Sequence, residues 1–267
     1  MNLKHTYGLW ACVAGAGEGL GAAFAKGLAR RGFYLLLIDK DREKLAALEE
    51  ELGASGELEV ISLCLDLEDR GAVARIMEKL EEANCRYLIY NAAYGPVRTF
   101  LSNTPEELDR HIQVNMATPL QLVHRFAGLH RGRRAGILLL SSLAGWRGSR
   151  LVAPYAATKA FTWNLAEGLY YEFRGADLDV SVCCPGPVDT PNYRGTRPRQ
   201  SWISPKAAAP EAVAEYALRH FGRRLFLFPG CSNRLTHFLL NRMLPRRWAS
   251  GMHNAIMKHL YDRATPA

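Results

Sequence analysis

The sequence predicts an α/β fold, a single doubly wound parallel sheet of about seven strands with helices on both faces. Short apolar runs alternate with amphipathic segments along the chain. Several of the runs are apolar almost throughout, as strands covered on both faces are. A glycine cluster separates the first run from the first amphipathic segment, the punctuation of a strand turning tightly into a helix.

The expected strands, in order, are Leu9–Ala14, Tyr34–Asp39, Leu58–Cys64, Tyr87–Asn91, Ile137–Ser141, Val180–Cys184 and Leu225–Phe228. The expected helices between them are Gly19–Arg30, Arg42–Leu52, Asp69–Ala83, Pro105–Leu129, Pro154–Arg174 and Pro210–Phe221. The start at Pro105 is the best marked. Thr104 supplies a cap, Pro105 takes the first helical position, and Glu107 stands three residues after the cap. After Pro229 the pattern changes: Leu235–Leu244 is apolar, Pro245-Arg246-Arg247 breaks it, and Ala249–Tyr261 is helical again. No repeat or Pro/Gly-rich linker interrupts the chain, so residues 1–267 are expected to form one domain. Within it, 191–206 is expected as a substrate lid and 229–267 as a basic, apolar helical extension.

A chain of 267 residues, 48% of them hydrophobic, can bury a large core without staples. No run approaches the length needed to span a bilayer, and Met1–His5 lacks the apolar centre of a signal peptide. A cytoplasmic protein is the expectation. The six cysteines have neither zinc-ligand nor disulfide-framework spacing, so no metal is expected. The formal charge of +8 is unevenly placed: from Pro191 onward there are thirteen Lys/Arg and three Asp/Glu, a net of +10, which leaves −2 for the rest. No nucleic-acid-binding motif accompanies that basic segment. It is expected as a solvated rim or as a site for an anionic group.

The residues that carry chemistry lie near the C-terminal ends of the strands. Gly15, Gly17, Gly19 and Gly21 with Leu20 form a loop that can bring backbone N–H groups to a pyrophosphate at a helix N-terminus. Asp39 ends the second strand, where a carboxylate can accept from the two adenosine ribose hydroxyls and repel a 2′-phosphate. Lys40 beside it offsets that repulsion. Tyr155 and Lys159 are four apart on a helix and share a face. An ammonium beside a phenol lowers the phenol pKa. Such a pair arises roughly 0.3 times by chance in this composition, so its context matters. Ser142 closes the fifth run at the ligand-binding edge, with Ser141 pointing the opposite way. Asn115 sits inside the helix expected over Pro105–Leu129 as a poor helix former.

Taken together, these residues resemble the short-chain dehydrogenase/reductase family from about Tyr7 to Phe228. The match includes the Gly-x-x-x-Gly-x-Gly loop at Gly15, Gly19 and Gly21. It also includes Asp66-Leu67, Asn91-Ala92-Ala93, the ordered set Asn115, Ser142, Tyr155 and Lys159, and Pro185-Gly186-Pro187-Val188-Asp189-Thr190. The resemblance implies a Rossmann-like fold and hydride transfer between a nicotinamide and a ketone or secondary alcohol. It implies that Tyr155 is the acid/base, that Ser142 binds the substrate oxygen, and that Lys159 holds the nicotinamide ribose and lowers the Tyr155 pKa. Asn115 would support a relay water. Gly15, Gly17, Gly19, Leu20, Gly21, Asp39, Asp66, Leu67, Asn91, Ala92, Val188 and Thr190 would line the cofactor, with Tyr155 and Lys159. NAD(H) is favoured through Asp39, with NADP(H) left open by Lys40 and Arg42.

The segment Tyr7-Gly8-Leu9-Trp10-Ala11 resembles the branch containing 3-oxoacyl-CoA reductases and 17β-hydroxysteroid dehydrogenases, which implies a hydrophobic, steroid-like or acyl-like substrate. A homodimer or homotetramer is implied as well. Arg194, Arg197, Arg199 and Trp202 are expected in the lid. The spacing of Leu235, Phe238, Leu239 and Leu240 favours packing on the protein's own core or a sister subunit over membrane contact. Three positions depart from the family pattern: Ala14 replaces a threonine that braces the loop, Tyr90 an asparagine, and Ala93 a glycine. They are the only support for the alternative reading, a nucleotide-binding scaffold or sensor with little turnover.

Overall fold

The computed structural model describes residues 2–54, 56–199, 201, 204–238 and 243–261. Seven strands form one parallel sheet: β1 (Trp10–Ala14), β2 (Tyr34–Asp39), β3 (Val60–Cys64), β4 (Tyr87–Tyr90), β5 (Ala135–Leu140), β6 (Leu178–Cys183) and β7 (Phe226–Leu227). Their spatial order is β3-β2-β1-β4-β5-β6-β7, with every neighbouring pair parallel. The order reverses between β1 and β4, so the crevice beyond their carboxyl ends is the natural ligand site.

Alternation along the strands divides the core into two layers. Leu36, Ile38, Leu88, Ile137 and Leu139 face one side with Leu122, Phe126 and Trp163. Leu35, Leu37, Ile89, Leu138 and Leu140 face the other with Phe24, Leu28 and Leu218. The covering helices are α2 (Gly19–Ala29), α3 (Arg42–Gly53), α4 (Ala72–Glu82), α5 (Pro105–Ile112), α6 (Thr118–Leu129), α7 (Ala153–Glu172) and α9 (Pro210–His220). A short α8 (Pro191–Gly195) follows β6, and α10 (Cys231–Phe238) and α11 (Arg246–Tyr261) complete the described chain. Thr104 and Glu107 form the expected reciprocal cap of α5, and Asp41 caps α3 by accepting from Lys44 N at 3.1 Å.

The structure corrects the sequence reading at several points. A one-turn helix α1 (Leu3–Tyr7), capped by Asn2, precedes β1 and was not expected. It is held by Tyr7, which is fully buried and hydrogen-bonds Asp179. β1 and β3 begin one and two residues later than expected, and β5 and β6 begin two earlier. The uninterrupted helix expected over Pro105–Leu129 contains a π turn at Gln113–Ala117. The cause is Pro119, which has no N–H to give the Asn115 carbonyl and whose ring crowds it. Thr118 N then bonds Gln113 O, five residues back, instead of Val114 O. Buried Tyr90 donates its hydroxyl to that Val114 carbonyl at 2.7 Å. The family departure at Tyr90 thus satisfies the acceptor that the π turn frees.

The C-terminal extension also differs. Leu235 and Phe238, expected on the core or a sister subunit, do not pack on this chain's core and are 58% and 53% exposed. Leu239 and Leu240 lie outside the described residues, as does Trp202 of the expected lid. No described helix is long and apolar enough to cross a membrane.

Tyr90→Phe leaves Val114 O buried without a donor, which should cost about 1–3 kcal/mol. A thermal melt should show a clear fall in Tm, and an unchanged Tm would mean that the π turn holds without Tyr90.

Candidate active site

The first wall of the site is the turn after β1. Gly15 has φ +80°, and a Cβ there would lie 2.6 Å from the Ala92 backbone. At Gly21 a Cβ would lie 1.8 Å from the Gly15 carbonyl oxygen. Only glycine permits this packing of the loop onto β4 and onto α2. The hydroxyl missing at Ala14 is replaced by other bonds. Ala14 O accepts from Asn91 N and Ala92 N, both at 2.9 Å, Gly15 N donates to Ile38 O at 2.7 Å, and Asn91 Nδ2 donates to Gly15 O at 2.8 Å. The first turn of α2 carries no side-chain cap, so its backbone N–H groups are free to meet an anion.

The next groups lie at the end of β2. Asp39 Oδ2 accepts from Gly17 N at 2.9 Å and Oδ1 from Asp41 N at 3.1 Å. The carboxylate is therefore fixed against the glycine loop, while Lys40 and Arg42 beside it are exposed. Lys44, not anticipated from sequence, ion-pairs with Glu18 of the loop and with Asp41, each at 3.0 Å. Asp66 is exposed, with Oδ1 accepting from Glu68 N, and Leu67 is buried. On the far side Thr190 stands against Gly19, where a Cβ would meet its Cγ2 at 2.8 Å. Val188 forms a backbone bridge with Ala208. These groups fit a dinucleotide, with a bare helix N-terminus for the pyrophosphate and a fixed carboxylate at the ribose position.

The reacting end is built by β5 and α7. Ser141 and Ser142 follow β5 and point in opposite directions. Ser141 Oγ donates to Lys159 O at 2.7 Å, whereas Ser142 Oγ accepts from Ala144 N at 3.1 Å and acts on the Tyr155 phenol, whose pKa it lowers. Lys159 is buried, its ammonium donating to Leu140 O at 2.7 Å and lying 5.6 Å from the centre of the Tyr155 ring. Burial pulls its pKa down to about 8. For Tyr155 the expected lowering by Lys159 is not observed. Burial is the largest influence and pushes the phenol up, with the Ser142 hydrogen bond opposing it. The reason is geometric: the ammonium faces the ring and a backbone carbonyl, not the phenol oxygen.

Asn115, on the π turn, is a brace. Its Oδ1 accepts from Tyr94 N at 2.8 Å, and Nδ2 donates to Tyr94 O at 2.7 Å and to Thr158 Oγ1 at 3.0 Å. Thr158 Oγ1 in turn donates to Tyr155 O at 2.8 Å. Both amide protons of Asn115 are thus committed to protein. The bonds to Tyr94 set the next residue, Gly95, against the Tyr155 ring, where a Cβ would come within 2.5 Å of Cδ2. Tyr94, Gly95 and Thr158 were missed in the sequence. Only Thr158 carried a signal, lying between Tyr155 and Lys159 on the same helix.

Fold and site together define an α/β dinucleotide-binding oxidoreductase, with Ser142, Tyr155 and Lys159 gathered at the carboxyl edge of the sheet. A family model described as short chain dehydrogenase matches residues 9–201, and the chain belongs to that family. It is an enzyme of the NAD(P)-dependent kind that acts on CH–OH and C=O groups. The 7beta-hydroxysteroid dehydrogenase of Clostridium sardiniense is 28% identical over 235 residues, covering 88% of this chain and 90% of that protein. A solved structure from work on 7beta-hydroxysteroid dehydrogenase stereoselectivity superposes with a TM-score of 0.84 at 24% identity, over 95% of this chain and 99% of the other, a likeness of fold. A short-chain dehydrogenase from Sphingobium yanoikuyae, solved in complex with NADPH, has a TM-score of 0.76 and 25% identity, over 97% and 98% of the two chains.

Two outcomes follow from this geometry. Gly95→Ala should displace the Tyr155 ring and lower kcat about 100-fold, with cofactor affinity unchanged in a fluorescence titration. The cofactor-free protein should lose stability as pH falls from the ordinary lysine value towards 8, and Lys159→Met should remove that pH dependence while abolishing turnover. The sign follows from the depressed pKa. Above the ordinary lysine value both states are neutral and burial is harmless. As pH falls towards 8 the unfolded lysine gains a proton that the folded one resists, so stability is lost. The Met variant removes that loss, and an unchanged dependence of Tm on pH in the variant would refute the account.

Proposed function

We infer that the protein interconverts a hydrophobic secondary alcohol and its ketone with NAD(H). The observation that carries the reading is the convergence of Ser142 and Tyr155 beside the buried Lys159 ammonium, at the carboxyl edge of the sheet. The phenol, kept protonated by burial, gives a proton to a carbonyl oxygen in reduction and takes one from the alcohol in oxidation. Ser142 orients that oxygen, and Lys159, with its ammonium on the Leu140 carbonyl, holds α7 and with it Tyr155 at the sheet edge. The nicotinamide, when bound, supplies the hydride chemistry. The N-terminus of α2, Asp39, Asn91, Ala92, Val188 and Thr190 are the groups that would hold it.

Support for a hydrophobic substrate comes from an apolar cluster whose members lie close to Gly95 and Tyr155 along the chain. Leu151, Leu260 and Tyr261 form a small buried cluster with Val97, Ile256 and Met257 packed against it. Val97 is two residues from Gly95, and Leu151 four before Tyr155. Support for NAD(H) is the fixed Asp39 carboxylate, which a 2′-phosphate would approach at an electrostatic cost. The complex of the Sphingobium relative is with NADPH, so the choice is open to direct test.

Fluorescence titration should give tighter binding of NADH than of NADPH, with the difference lost in Asp39→Ala. Tighter NADPH binding by the unaltered protein would overturn the cofactor assignment. Tyr155→Phe should lower kcat by about 100- to 10,000-fold. Because the phenol is raised, ketone reduction should hold its rate until pH exceeds the ordinary phenol range, and alcohol oxidation should still be accelerating there. A flat pH profile for both directions would remove Tyr155 as the acid/base.

A further inference from the structure

We propose that the outer face of α10 and α11 docks on an anionic lipid surface. The inner face of α11 is accounted for: Ala249, Leu260 and Tyr261 are buried, and Ile256 and Met257 pack against the apolar cluster around Leu151. The helix is stitched to two loops. Towards residues 147–150, Arg147 Nη1 donates to Arg246 O at 3.2 Å, Arg150 N to Asn254 Oδ1 at 2.8 Å, and Asn254 Nδ2 to Gly148 O at 3.1 Å. Towards the lid, Arg199 N donates to Leu260 O at 2.9 Å, and His259 Nε2 and Ser201 Oγ are hydrogen-bonded at 3.0 Å.

The opposite face has no such role. Arg247, Trp248, Met252, Ala255 and Lys258 recur at helical spacing and are all exposed, Trp248 by 70%. On α10, Leu235 and Phe238 are three apart and both more than half exposed, and Met243 in the connection is exposed as well. Five large apolar side chains on one short extension exceed the scattered surface hydrophobes of an ordinary soluble face. Trp, Phe, Leu and Met at that level, flanked by basic residues, form the pattern of a helix lying in a membrane interface.

Charge decides between a lipid surface and a second copy. From Tyr216 to Tyr261 there is no Asp or Glu against eight Lys/Arg, with Arg234, Arg246, Arg247 and Lys258 exposed on these elements. A self-complementary contact would set this basic segment against itself. An anionic bilayer neutralises it and receives the apolar side chains. The buried side of the same helix belongs to the apolar cluster around Leu151, so docking would place that cluster near the pool from which a lipid-like substrate partitions.

The test is sedimentation of the full chain with vesicles of phosphatidylcholine alone and of phosphatidylcholine with phosphatidylglycerol. The reading uses neither substrate nor cofactor, so its failure leaves the proposed activity standing. The expected result is binding to the anionic vesicles only. That binding should weaken as salt rises and should fall about tenfold or more in Trp248→Ala/Met252→Ala, a variant altered only on the exposed face. Arg246→Glu/Arg247→Glu should weaken it too, with circular dichroism checking that each variant folds. The proposal is overturned by no sedimentation with anionic vesicles, by equal binding to neutral ones, or by full binding of the Trp248/Met252 variant. It is also overturned if that variant changes the mass measured by light scattering, because a second copy then covers the face.

Discussion

The site depends on one side chain being fastened at both ends. Lys159 donates from its ammonium to the last carbonyl of β5, and its own backbone carbonyl accepts from Ser141 just beyond that strand. These two bonds, both at 2.7 Å, seam α7 to the edge of the sheet. Ser142 and Tyr155 meet because each stands beside an anchored neighbour. The seam is buried, which strengthens its hydrogen bonds and makes the ammonium costly to charge there. The same burial that orders the reacting groups draws down the lysine pKa and raises the phenol.

A second brace works from the opposite side. Pro119 forces the π turn, the π turn presents Asn115, and Asn115 holds the Tyr94 backbone by both its N–H and its carbonyl. Tyr90 closes the circuit by occupying the carbonyl that the turn frees. A substitution that reads in sequence as a departure from the family is thus part of a consistent local solution. Ala14 is similar: its missing hydroxyl is replaced by Asn91 and by backbone bonds from the two neighbouring strands.

Much of this was legible in the sequence because strand burial and helix amphipathicity leave strong local patterns. The sheet, the covering helices, the glycine loop and the spacing of Ser142, Tyr155 and Lys159 all came from such patterns. What escaped were features set by tertiary contact. The helix Leu3–Tyr7 is too short for periodicity and rests on a bond to Asp179, far along the chain. Pro119 did mark the break in the fifth helix, but its offset from Asn115 acquires meaning only once the carbonyls are followed. Gly95 resembled any loop glycine until the Tyr155 ring was found against it. The orientation of Lys159 towards Leu140, and with it the direction of the Tyr155 shift, is a matter of side-chain placement that spacing on a helix does not encode.

The stitching of α11 to two separate loops has an evolutionary consequence. The match to the family model ends at residue 201, whereas α11, which packs with Leu151, begins at Arg246. Ser142, Tyr155 and Lys159 and the last helix therefore lie in different stretches of the gene. Substitution or replacement of that helix can reshape the cluster around Leu151 without removing the bonds that fasten Lys159 to the sheet edge.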